Sequence, residues 1–349
     1  MHDNNLIIGC DDPILITGSN GFIGSRVVET LLRCGFSNLR CFVRPSSNLT
    51  SLSAILTTFQ KAQVEVMQGN LLAREDCEKA AKDATVIFHL AAGIEKTFPG
   101  SVMNSVVTTR NLLDAVVRFG SLRRFVNISS FAVYSNWNIR RGGLLDEMCE
   151  LESRVMERAE AYAFAKLKQD ELVLEYAQKY RIPYVILRPG VVYGPGKSQI
   201  TSRVGINTFG IFLHLGGSNQ LPLTYIDNCA EAIVLSGLKP GVEGEVFNVV
   251  DDDLPSSRQF LRMYKRHGKR FKSIYVPYWL FCSFCWLWEK YSLWSEGQLP
   301  PHFNRRMWAA YWKGNRYTNQ KLKDCLGWRP RVPFSEASLR YCEYIHKTS

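Results

Sequence analysis

From residue 14 onward, short apolar runs alternate with longer stretches whose apolar positions recur at helical spacing. Residues 14–16, 39–43, 64–66, 86–90 and 124–129 read as strands, and 184–187 reads as a sixth. Between the first two, Ile23, Val27, Val28, Leu31 and Leu32 fall on one face of a helix that ends at Gly35. Residues 74–83 form a polar helical stretch before the fourth strand. Strands alternating with helices predict an α/β fold built on a doubly wound, mostly parallel sheet. In such sheets ligands bind beyond the carboxyl ends of the strands, so residues that follow strands carry the interest.

The first such position is the turn TGSNGFIG, with glycines at 18, 21 and 24 between a strand and a helix. Gly18 permits the tight turn, Gly21 lets backbone approach a pyrophosphate, and Gly24 allows close packing of the helix. The helix N-terminus offers free N–H groups and positive dipole to phosphates. This predicts a Rossmann-type dinucleotide site. After the second strand stands Arg44, followed by Ser46, Ser47 and Asn48, with no carboxylate to hold a ribose 2′-hydroxyl. NADP is therefore expected, with NAD as the alternative. HLAAG after the fourth strand places small residues where backbone must pass near the cofactor.

Composition adds limits. The 349 residues are 46% hydrophobic and 21% charged, an ordinary globular balance. Ten cysteines show no metal-ligand or disulfide-framework spacing, so no metal site is expected, and reduced thiols in a cytoplasmic protein are the better reading. The start of the chain lacks the pattern of a signal peptide. The formal charge of +11 suits anionic partners, but no nucleic-acid-binding module is recognisable. The basic cluster Arg262, Lys265, Arg266, Lys269, Arg270 and Lys272 runs directly into an aromatic stretch with Trp279, Trp286, Trp288 and Trp294. The apolar run 274–288 is too short to span a bilayer. A buried helix with solvated cations and a peripheral membrane contact through 262–294 both fit this pattern.

Tyr162 and Lys166 lie one turn apart in EAYAFAKLKQDE, a spacing that alone decides nothing. Together with TGSNGFIG, HLAAG, NISSFAVYS and RPGVVYGPG, in that order, it resembles the extended short-chain dehydrogenase/reductases, the NAD-dependent epimerase/dehydratase family. The resemblance runs from about residue 12 to 340. It implies Ser130, four residues before Tyr134, Tyr162 and Lys166 as the catalytic set. It also implies cofactor contacts from Gly18, Asn20, Gly21, Phe22, Ile23, Gly24, Arg44, Asn70, Leu71, Leu90, Ala91, Ala92, Tyr162, Lys166 and Pro189. The residue types suit the chemistry. Oxidising a secondary alcohol removes its hydroxyl proton as well as a hydride. Tyrosine, with a pKa of about 10, is a poor base unless a neighbouring ammonium favours its phenolate. Ser130 would orient the substrate oxygen, and Asn104 would prop backbone or face the cofactor.

Three departures from the family pattern shape the substrate expectation. Asn70 replaces the usual aspartate near adenine. Phe131 and Ala132 stand where 4,6-dehydratases carry an acidic pair, which disfavours dehydration. Val191 replaces an asparagine that holds substrate diphosphate in many epimerases. A small-molecule substrate is expected, with a sugar nucleotide first. The alternative is a hydrophobic alcohol, as in dihydroflavonol reductases and 3β-hydroxysteroid dehydrogenases. A dinucleotide sensor without chemistry is a third class, opposed by the presence of all three catalytic residues. Residues 1–195, rejoined by 221–252, are expected to form the dinucleotide domain, with 196–220 and 253–349 mainly a substrate lobe. Asp227 and Asn228 are expected to cap a helix, 140–160 to form a flap, and Arg203 and Arg258 to be candidates for gripping an anion. A homodimer is expected by resemblance.

Overall fold

A computed structural model describes residues 5–93, 95, 97–208, 210–268, 270–296, 298 and 303–348. Its centre is a seven-stranded sheet of β1 (Ile14–Thr17), β2 (Asn38–Val43), β3 (Gln63–Gln68), β4 (Val86–His89), β5 (Arg124–Ile128), β6 (Tyr184–Pro189) and β7 (Val246–Val249). The spatial order is β3-β2-β1-β4-β5-β6-β7 and every pairing is parallel. The expected doubly wound sheet is thus borne out. Ile14 registers with Leu39 on one side and Val86 on the other, so chain order reverses at β1. That reversal opens a crevice at the carboxyl ends of β1 and β4.

Alternation along the strands feeds two cores. Ile14 and Ile16 point into one, with Val27, Val28 and Leu31 of the helix Phe22–Arg33 and Ile233 of the helix Ile226–Leu238. Leu15 points into the other, with Leu112 of the helix Thr108–Phe119 and Leu172 of the helix Ala161–Tyr180. Each fully buried side chain of this kind contributes roughly 1.5–3 kcal/mol through removal of apolar surface from water. The first core also takes in Phe260 of the helix Ser257–His267 and Tyr341 and Ile345 of the helix Phe334–Thr348.

A smaller layer holds a three-stranded sheet, Gly205–Thr208, Ile211–His214 and Ser273–Tyr275, and the helices Tyr278–Trp294 and Arg305–Trp312. Phe281, Cys285, Trp308 and Trp312 form its own apolar cluster. The segment 140–160 is mostly irregular and is tied to this layer. Asn304 donates to the Arg158 carbonyl at 3.0 Å, and Arg306 pairs with Glu152 at 3.1 Å and Glu157 at 3.0 Å.

The expected cap by Asp227 and Asn228 is not formed. The helix Ile226–Leu238 starts after Tyr225, and no side chain caps it. Asn228 is already inside the helix, and its amide donates to Asp251 at 3.1 Å and to the Val332 carbonyl at 2.9 Å. A tertiary contact has taken the side chain that local pattern assigned to the helix end.

Candidate active site

The glycine turn is built as its spacing requires. Gly18 has φ +69°, and a side chain on it would meet the Ala91 backbone at 2.9 Å, so the turn closes against the β4 loop. A Cβ on Gly24 would lie 2.0 Å from the Gly18 carbonyl oxygen, which forces glycine there. Around this turn lies a cleft of about 210 Å³. Gly18, Asn20, Gly21, Arg44, Asn70, Leu71, Leu90, Ala91 and Ala92 all line it, as do Phe42, Val43, Ser47, Asn104 and Thr108. No carboxylate is among them.

The loop after β2 is held next to the glycine turn, because Asn20 donates to the Asn48 carbonyl at 3.3 Å. The Asn70 side-chain oxygen receives the Leu72 N–H at 3.0 Å. Asn104 sits in a π-helical turn, Val102–Val107, and packs so close to Gly93 that a Cβ there would be 2.4 Å from its own. Phe22, Ile23, Gly24, Tyr162, Lys166 and Pro189 are not part of the cleft lining. The Phe22 ring backs onto Gly196, and Ile23 packs against the first core. Pro189 is buried at the end of β6.

Beyond β5, the two consecutive serines separate in role. Ser129 is buried, and its hydroxyl donates to Asp170 at 2.8 Å, where Asn127 at 3.0 Å and Arg188 at 3.3 Å also converge. Ser130 starts a 3₁₀ turn and accepts the Ala132 N–H at 3.2 Å, and the Tyr162 phenol lies beside its hydroxyl. Tyr162 is the second residue of the helix Ala161–Tyr180. Burial pushes its phenol above the ordinary range, the carboxylates of Glu160 and Asp170 push the same way, and the neighbouring Ser130 hydroxyl opposes them.

Lys166 is buried, and its ammonium donates to the Ile128 carbonyl at 2.6 Å and to Gln169 at 2.8 Å. Burial lowers its pKa to about 8, against the attraction of Asp170. The expectation that Lys166 favours the Tyr162 phenolate is therefore not met in this state. The phenol lies high, and the ammonium is directed into the end of β5 and along its own helix.

Sequence reasoning passed over two sets of neighbours. His89 meets Thr17 and Thr109 at 2.8 Å each, and Gln169 donates to Thr109 at 2.9 Å, which joins Lys166 to the base of the glycine turn. Glu160 accepts a hydrogen bond from Tyr311 and pairs with Arg158 at 2.5 Å. Contacts across 60 and 151 residues of sequence leave no local signal; only Gln169, three residues after Lys166, was findable. Of the two candidate anion-gripping arginines, Arg203 lies over Tyr311, 5.4 Å from its ring centre, and donates to the Ala310 carbonyl. Arg258 is exposed and lies over Tyr275 instead.

The sequence profile of the NAD dependent epimerase/dehydratase family matches residues 14–249, more than half of the chain. The chain belongs to that family. It is accordingly an enzyme of the epimerase, dehydratase and reductase group, which depends on a nicotinamide dinucleotide. It is 28% identical over 255 residues to an uncharacterized UDP-glucose epimerase of Bacillus subtilis (strain 168), covering 68% of this chain and 76% of that one. It is 21% identical over 347 residues to the sterol-4-alpha-carboxylate 3-dehydrogenase, decarboxylating, of Mus musculus, covering 95% and 90%. The UDP-glucuronic acid 4-epimerase of Bacillus cereus, solved in complex with NAD, shares the fold with a TM-score of 0.71 at 22% identity, over 96% of this chain and 99% of that one.

Proposed function

We propose that this enzyme interconverts a secondary alcohol and a ketone, with Ser130, Tyr162 and Lys166 as its proton-handling set and NADP as its preferred cofactor. The Tyr162 phenol beside the Ser130 hydroxyl, where the 3₁₀ turn after β5 meets the start of the helix Ala161–Tyr180, carries the reading. The glycine turn, packed against the β4 loop at Gly18 and against itself at Gly24, suits a dinucleotide pyrophosphate. Arg44 and Ser47, in a lining free of carboxylates, suit a 2′-phosphate. Bound there, the nicotinamide supplies hydride acceptance and return.

The chain's own residues handle the proton. Burial keeps the Tyr162 phenol protonated at neutral pH, so it stands as the proton donor to a ketone oxygen in the reductive direction. For oxidation, Tyr162 must first lose its proton and then take one from the substrate hydroxyl, so that direction is favoured at higher pH. Ser130 holds the same oxygen. Lys166 bears its charge below pH of about 8 and holds the helix Ala161–Tyr180 to the end of β5 through the Ile128 carbonyl.

A sugar nucleotide is the first substrate class, in line with the UDP-glucose epimerase relative. A hydrophobic alcohol is the second, favoured by one observation: the match to the sterol dehydrogenase spans 95% of the chain, whereas the match to the epimerase spans 68%. A cytoplasmic homodimer through the helices Thr108–Phe119 and Ala161–Tyr180 belongs to the same proposal, as does peripheral membrane contact through residues 262–294. Native mass spectrometry of the purified protein, followed by absorbance at 340 nm with UDP-sugars and hydroxysteroids, is the test. NADP should co-purify or bind, and one substrate class should change the absorbance or be epimerised. A protein that binds neither dinucleotide would sink the reading.

A further inference from the structure

The helix Tyr278–Trp294 is apolar on two sides. Its buried positions are Phe281, Cys285 and Ser292, and Phe281 meets Trp312 edge-on with ring centres 5.5 Å apart. The helix Arg305–Trp312 thus closes the inner side. The outer side carries Trp279, Leu280, Trp286, Leu287, Leu293 and Trp294. All are exposed, with Trp279 at 67%, Leu293 at 76% and Trp294 at 78%. Lys290 is the one exposed charge along this helix. Ser283 turns its hydroxyl back onto the Trp279 carbonyl at 2.9 Å. A helix apolar all round belongs in a core or in lipid, and this one has a core on one side only. No helix among the described residues is long and apolar enough to cross a membrane.

Charge adds a second, independent observation. Arg258, Arg262 and Arg266 recur every fourth residue along the helix Ser257–His267 and form one exposed ridge. Arg270 and Lys272, between this helix and the aromatic one, are exposed as well. None of these five has an ion pair with a carboxylate among the described residues; Lys269, named with them from the sequence, lies outside those residues. The ridge adjoins the apolar face, since the Arg258 guanidinium lies 5.7 Å from the ring centre of Tyr275, itself exposed three residues before the aromatic helix. A twofold contact between copies through this face would bring two such ridges together, like charge against like.

We propose that the outer face of Tyr278–Trp294 docks on an anionic bilayer, with the helix in the headgroup layer and the arginine ridge on lipid phosphates. This deepens the membrane contact proposed above and rests on it, but not on the chemistry proposed at Tyr162. The docked helix is one layer from that chemistry. Its inner neighbour Arg305–Trp312 carries Tyr311, which hydrogen-bonds Glu160, two residues before Tyr162. The lipid surface would therefore lie beside the substrate side of the site.

Flotation of the whole chain with phosphatidylcholine vesicles, with and without about 30% phosphatidylserine, tests this without cofactor or substrate. The protein should float with the anionic vesicles and remain below with the neutral ones. Each basic residue near the surface is worth about fivefold in affinity, so Arg262→Glu with Arg266→Glu should weaken binding at least about tenfold. Leu287→Ser with Trp294→Ser should do the same. Both pairs are exposed, and unchanged dinucleotide binding serves as the control for folding. Failure to float with anionic vesicles, or floating that neither pair weakens, overturns the proposal. So does self-association in sedimentation velocity that Leu287→Ser with Trp294→Ser abolishes, since the occupant would then be a second copy.

Discussion

Lys166 gives its ammonium to the side-chain oxygen of Gln169 at 2.8 Å, and the same Gln169 donates to Thr109 at 2.9 Å. A buried polar chain therefore runs from the helix under Tyr162, through Thr109 and His89, to Thr17 at the base of the glycine turn. Gln169→Leu would leave the ammonium and the threonine hydroxyl each short of a partner in a dry setting. A loss of roughly 1–3 kcal/mol follows from the cost of unsatisfied buried groups. Urea denaturation should show a lower midpoint with an unchanged slope. A change under about 0.5 kcal/mol would mean that the chain is slack.

Tyr162→Phe should fold and bind dinucleotide as before, because the change removes one hydroxyl and leaves Ser130 accepting the Ala132 N–H. Turnover should fall by about 10²–10⁴, the usual range for removal of a positioned acid or base. Steady-state rates with unchanged dinucleotide affinity check it, and full turnover in the variant would refute the role.

Arg44→Asp should move preference from NADP toward NAD by placing a carboxylate where the cleft lining now has none. Titration of both dinucleotides by protein fluorescence measures the ratio of affinities. A ratio left as it was would show that the loop after β2 does not read the 2′ position.

His89 is held down to about 3 by burial, with the Lys166 charge acting in the same sense. Between that value and the ordinary 6.5, the unfolded chain takes up a proton that the folded one refuses. The contribution of His89 to stability is thus full above 6.5 and is lost as pH falls toward 3. Asp251 acts in the opposite sense. Burial raises its carboxyl to about 7, so its contribution is full below 3.8 and is lost as pH rises through 7. The whole-protein slope mixes the two, and the decisive measurement is site-resolved. The imidazole NMR signals of His89 should stay those of the neutral ring from pH 7 down to about 4. Titration near 6.5 would contradict the buried placement.

Much of the architecture is readable from local pattern. Runs at 14–16 and 39–43 became β1 and β2 within a residue of their expected ends, because alternation and glycine placement are short-range signals. Nine of the anticipated cofactor residues line one cleft for the same reason, since each follows a strand of a parallel sheet. What escaped was tertiary. Asn228 abandoned a cap for Asp251 and Val332, and Lys166 turned from Tyr162 to Ile128. The composition of 278–294 announced an apolar helix but not which of its sides would be covered, because that depends on Trp308 and Trp312 arriving from later in the chain.

The last helix, Phe334–Thr348, has a consequence for anyone trimming this protein. Tyr341 and Ile345 belong to the same apolar cluster as Ile14 and Ile16 of β1, and Tyr341 packs against Tyr193 and Phe260. The last helix is therefore masonry of the core beneath the glycine turn. Deleting it would not pare the protein to a minimal catalytic fragment but would open the wall behind its first strand.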